Sequence, residues 1–138
     1  MVPLRYKWLV LMLAVLTAPL TACGIGQAQD SPIYSPDLLA MQGRWVRTDA
    51  PYVIELRQDT VQGLRASYYN PRPIHVEQTR TAREKGLQYV MIELQDVDYD
   101  GSTYLLYYDR QQDALQGIYT HGASGQRFQV SFSRQASR

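Results

Sequence analysis

The chain has little cysteine, little histidine and, past its first residues, little lysine. Cys23 is the single cysteine among 138 residues, so no disulfide can form within the chain and any fold must be held by packing. His75 and His121 are the two histidines, and neither has a neighbouring ligand at metal spacing. No G-x-S-x-G turn, cysteine nucleophile or phosphate loop is present. Acid pairs such as Glu93 with Asp96 or Glu55 with Glu77 exist on paper, but any strand-rich domain supplies such pairs. These absences read as a protein that is not an enzyme and needs no cofactor. Past residue 22 there is one lysine, Lys85, against 11 arginines that form no long basic stripe, which argues against nucleic acid as a partner. A hydrophobic run long enough to span a bilayer convincingly is missing too.

The longest apolar run, Trp8 to about Leu20, follows Arg5 and Lys7 and precedes small residues, the layout of an export signal. It ends in Leu20-Thr21-Ala22-Cys23, which resembles the lipobox of bacterial lipoproteins. That resemblance implies removal of residues 1–22, acylation of Cys23 and a permanent lipid anchor, since each buried methylene contributes about 0.8 kcal/mol. Gly24 after the cysteine, by the sorting rule of enteric bacteria, implies the outer membrane, with the domain facing the periplasm. The mature chain then holds 116 residues, with 12 basic side chains against 13 acidic ones. That is one small domain of near-neutral charge.

Residues 23–34 are mostly small and polar and read as a tether, leaving 35–138 for the domain. Ser35 as N-cap, Pro36 at the first helical position, Asp37 in the first turn and Gly43 as a stop predict a short helical turn. Everything after it is a succession of short runs rich in Tyr, Val, Ile and Leu. Strands are expected over Arg44–Thr48, Tyr52–Arg57, Leu64–Tyr69, Ile74–Thr81, Leu87–Leu94, Thr103–Tyr108, Ala114–Thr120 and Arg127–Arg134. Their joins are too short for crossover helices, so the expected fold is all-β: a small eight-stranded antiparallel up-and-down barrel.

Alternation sets the inward faces. Tyr52, Ile54 and Leu56, then Leu64, Ala66 and Tyr68, then Phe128, Val130 and Phe132 each share a face of their strand. The runs "LQYVMIEL" and "STYLLYYD" are apolar on both faces, so some of their aromatic residues must look outward, as paired tyrosines or as a partner surface. Tyr104 and Tyr108 are the candidates for such contacts. Arg72, between two prolines in "NPRP", and His121, in "YTHGASG", are further candidates on turns.

Gly43-Arg44-Trp45 resembles the G-x-W start of the first strand in the calycin group, which includes lipocalins and avidin-like proteins. The T-D-x-Y motif of lipocalins is absent. In that group an arginine from the last strand packs on the tryptophan, and Arg134 stands at the matching place. The resemblance implies a seam of Gly43, Trp45 and Arg134, and a barrel that binds something. Two classes follow: a recognition or inhibitor-type module for a protein partner in the envelope, or a lipocalin-like carrier of a small apolar ligand. For the first, "YTHGAS", Tyr119 to Ser124, resembles the T-K-G loop of periplasmic lysozyme-inhibitor lipoproteins, with His121 in place of lysine and without their cysteine pair.

One stretch, "QDVDYDGSTY", places Asp96, Asp98, Asp100 and Gly101 at the spacing of a calcium loop. The twelfth position, which needs a bidentate glutamate, is Tyr107, and both flanks are strand-like. A hairpin with solvated acids is the reading taken, with a weak calcium site as its alternative.

Overall fold

The computed structural model describes residues 35–136. The export segment, Cys23 and the tether lie outside the described residues. Ser35 Oγ accepts the Leu38 N–H at 3.1 Å and starts helix α1 (Pro36–Ala40), where Pro36 sits at a position whose N–H would have no partner. The helix turns Leu38 into the core, and Met41 follows it there.

Nine strands follow: β1 (Gly43–Arg47), β2 (Val53–Asp59), β3 (Gly63–Asn70), β4 (Arg72–Ile74), β5 (Val76–Glu84), β6 (Leu87–Leu94), β7 (Ser102–Asp109), β8 (Ala114–Thr120) and β9 (Arg127–Arg134). All pairings are antiparallel and β1 also pairs with β9, giving the order β4-β3-β2-β1-β9-β8-β7-β6-β5. The two ends of that order, β4 and β5, are consecutive in the chain, so the sheet curls into a nearly closed barrel.

The count differs from eight because the fourth strand is broken. Pro73 has no N–H for a ladder, and the next N–H beyond Ile74, that of His75, goes to Asp96 Oδ2 at 2.8 Å. The short β4 therefore pairs with β3, while β5 pairs with β6 across a bulge between Val76 and Gln78. Where β3 and β5 do not form a ladder, two threonines of β5 tie it to β3 and to the turn just before β3. Ala66 N–H donates to Thr79 Oγ1 at 3.1 Å, and Thr81 Oγ1 donates to Gln62 O at 3.2 Å.

The inward rows follow alternation through β2 and β3 and along most of β9, with Ile54, Leu56, Leu64, Ala66, Tyr68, Val130 and Phe132 buried. Phe128 departs from it, being 46% exposed, because it stands near the start of β9 at the uncovered end of the barrel. The strands that are apolar on both faces are settled by register. Ile92 pairs with Tyr104 and Val90 with Leu106, so those rows face the core together, while Tyr89, Met91, Leu105 and Tyr107 face out. Tyr104 and Tyr108, expected as surface contacts, are thus core residues at 1% and 9% exposure.

Trp45 is fully buried and its indole N–H donates to Met41 O at 2.8 Å. The Arg134 guanidinium lies 4.1 Å from the centre of its ring. Arg134 also donates to Ala40 O and Gln42 O, each at 2.6 Å, and to Asp113 at 2.7 and 2.8 Å. Gly43 makes room for this, since a Cβ there would stand 2.9 Å from Arg134 Nη1 and its φ of +129° disfavours any side chain.

Replacing Trp45 by Ala should therefore cost about 3–5 kcal/mol in denaturant unfolding. Arg134→Ala should cost less, roughly 2–3 kcal/mol, from lost charge-assisted hydrogen bonds and the ring contact. A double-mutant cycle should show coupling above about 0.5 kcal/mol, and strict additivity would mean that the stack contributes nothing.

Candidate binding site at the open end

The meander sorts its loops into two ends. α1, Trp45, Tyr108 and Arg134 close one. The β1–β2, β6–β7 and β8–β9 loops and the β3–β4 turn crowd the other, which no helix of the described residues covers. There the barrel ends in a cup of about 240 Å³.

Its floor is the pair of phenols Tyr68 and Tyr104, whose hydroxyls lie 3.1 Å apart and whose rings are 5.5 Å apart. Tyr99 from the β6–β7 loop and Tyr119 from β8 form walls, with ring centres 5.8 Å from Tyr68 and 4.8 Å from Tyr104 respectively. Tyr52 and Phe128 stand at the rim, Phe128 stacked on Tyr119. Among the described residues Arg47 is the one charged residue of the lining. Its guanidinium lies over the Tyr52 ring at 5.4 Å and donates to both Asp49 oxygens at 2.6 and 3.1 Å.

Burial pushes the Tyr104 phenol up to about 12, against the opposing pull of hydrogen bonds with Tyr68 and Arg47. Burial, followed by the neighbouring Tyr104 and Tyr99, pushes Tyr68 further up. Both phenols keep their protons at any physiological pH and serve as hydrogen-bond donors.

Three of the residues singled out from sequence gather at this end. Arg72 pairs with Asp96 through two hydrogen bonds at 3.2 and 3.3 Å, and His121 bonds Ser124 Oγ at 2.9 Å within one turn that also joins Gly125 N–H to His121 O. Tyr104 is in the cup floor. Tyr108 lies at the opposite end, its ring 6.2 Å from that of Trp45. The acids of the calcium-like stretch do not converge. Asp96 accepts from Arg72 and from the N–H groups of His75 and Val97, Asp100 accepts from the Gln95 amide, and Asp98 sits in the left-handed region at φ 67°. Among the described residues no three Asp, Glu, His or Cys side chains stand close enough to hold an ion together.

Gly122 locks the loops to one another. A Cβ there would stand 1.8 Å from Asp100 O, and its N–H donates to Ser102 Oγ at 3.0 Å. Sequence reasoning missed Arg47 and Tyr99 as site residues. Arg47 had a signal, because it shares the strand face of Trp45 two residues earlier and must therefore look into the barrel. Tyr99 lies in a loop and carried none. Comparison with family models, with curated proteins and with solved structures gives no match to this chain.

The Arg72–Asp96 link makes a pH prediction. The Arg72 side chain first, then the His75 and Val97 N–H groups, hold the Asp96 carboxyl well below the usual carboxylate range. A depressed folded pKa stabilises the fold above the unfolded value near 3.9 and that contribution is lost as pH falls through the folded one. The urea midpoint should therefore drop from about pH 4 downward, and the drop should be shallower in Asp96→Asn. Equal slopes would show that Asp96 is not held by this network.

Proposed function

We propose that this protein is a non-enzymatic, lipid-anchored recognition module of the bacterial cell envelope, bound to the outer membrane through Cys23 and meeting a protein partner with its open end. The observation that carries the reading is the filling of the barrel. Packed side chains occupy it from Leu38 and Met41 up to Tyr68 and Tyr104, and the remaining cup of about 240 Å³ suits one inserted side chain rather than a lipid tail. Aromatic walls around a single cation fit the composition of an interface anchor pocket. Arg72, at the start of β4, and His121, in the β8–β9 loop, stand at the same end and would meet the same partner.

The alternative, a carrier of a small apolar ligand, draws on the same cup. A carrier would release a co-purifying small molecule to mass spectrometry, whereas a recognition module would yield a specific crosslinked protein from intact envelopes. That crosslink should be lost in Tyr119→Ala and kept in Leu105→Glu, which alters the outer face of β7. If both variants, or neither, lose it, the open end is not the contact. For the anchor, Cys23→Ala should release the protein from membranes or stall its processing, and an unmodified Cys23 thiol in the mature protein would end that part of the proposal.

A further inference from the structure

The hydrogen bonds of the cup leave one proton over. Tyr104 and Tyr68 share a hydrogen bond, and the Tyr99 ring stands 5.8 Å from that of Tyr68. Asn70 Nδ2 donates to the Tyr99 hydroxyl, and Arg47 lines the same cup. The link between Tyr68 and Tyr104 consumes one of their two protons, and among the described residues neither hydroxyl has a second hydrogen-bond acceptor. One O–H of the pair is thus left to donate to a guest or to water. Arg47 adds a second demand, since its Nε and Nη2 serve Asp49 while the guanidinium carries donors beyond those two. Among the described residues no carboxylate lines the cup.

We propose that the cup binds an aromatic carboxylate, a ring held between the tyrosine and phenylalanine walls with its acid group accepting from Arg47 and from the surplus phenol proton. The cup holds roughly eight waters at about 30 Å³ each, the room for one ring and a short acidic arm. Cage-like aromatic walls also suit a quaternary ammonium. Here Arg47 puts positive charge in the same lining and disfavours that occupant. The same chemistry comes from a free aromatic acid or from a protein whose chain ends in phenylalanine, and it rests on the open end being the binding face.

Arg47 has a built-in competitor. Its side chain is 13% exposed while that of Asp49 is 62% exposed, so Asp49 is the partner a ligand carboxylate displaces toward water. Removing the Asp49 charge should strengthen acid binding, an effect that a purely structural role for Arg47 would not produce.

The test is calorimetric titration of the full-length protein in a neutral detergent with N-acetylphenylalanine, its amide, choline, and Gly-Gly-Phe with a free or an amidated C-terminus. The free acid should bind at least tenfold more tightly than its amide, a difference of about 1.4 kcal/mol, and choline should bind more weakly than the acid. Asp49→Asn should widen the acid–amide gap and Arg47→Gln should close it, with circular dichroism confirming that both variants fold. Binding of N-acetylphenylalanine without the peptide would support the cup chemistry with a free acid as its source and count against a protein-terminus partner. Equal binding of acid and amide, tighter binding of choline, an acid–amide gap unchanged in Arg47→Gln, or no binding of any probe at about 10 mM, a limit near 3 kcal/mol of affinity, would overturn it. In the last case an envelope crosslink that still depends on Tyr119 would leave the recognition reading standing by itself.

Discussion

The closed end of the barrel depends on one cation held over one indole. In an up-and-down meander the first and last strands must find each other, and the paired register of β1 with β9 runs only from Trp45 to Arg47, with one further backbone hydrogen bond beyond each end. Arg134 reinforces that short ladder from its end. It stacks on Trp45, takes the carbonyls of Ala40 and Gln42 at the exit of α1, and ties down Asp113 in the β7–β8 turn. A guanidinium suits the position because its planar fork serves several oxygens while its face covers a ring, and a lysine could not do both. With no disulfide in the domain, that clamp joins the helix, both terminal strands and a distant turn around one charge.

Closing one end in this way shapes the other. A small barrel fills its interior with side chains, and here the filling runs from α1 through Trp45 and Phe132 to the Tyr68–Tyr104 pair. Tyrosine at the top of a core is a compromise: its ring packs, but its hydroxyl must find a partner. Tyr68 and Tyr104 meet the requirement by bonding each other and Tyr99 by accepting from the Asn70 amide, which leaves aromatic walls and a polar floor where the packing stops. The loops hold that shape because Asp96 and Gly122 pin the β6–β7 loop to its neighbours.

Much of this was legible in the residues. Short strands with short joins gave the meander, and Gly43-Arg44-Trp45 with Arg134 gave the seam. What sequence could not supply was the inner face of a strand with two apolar faces, because alternation is silent there. Alternation therefore leaves Tyr104 and Tyr108 as outward candidates, and only the pairing of β7 with β6 turns them inward. The broken fourth strand was hidden for a related reason. Pro71 and Pro73 announced a turn, but the loss of the His75 N–H to Asp96 is a contact between residues far apart in the chain. Tyr99 enters the cup through loop conformation, for which no periodicity exists.

Arg47 shows how the two ends are linked through a single strand. Counting by twos along β1 puts Trp45 and then Arg47 on the inner face, so the row that supplies the buried indole must also send a guanidinium into the barrel. A charge deep in the interior would cost several kcal/mol unless paired. Arg47 escapes that cost because β1 ends there, at the mouth, where Asp49 reaches it from the solvent side and Tyr52 lies beneath it. Its pairing is therefore sufficient for stability yet held from one side only. The same short strand that anchors the closed end in apolar contact thus delivers to the open end a cation whose inner side faces phenols and empty space.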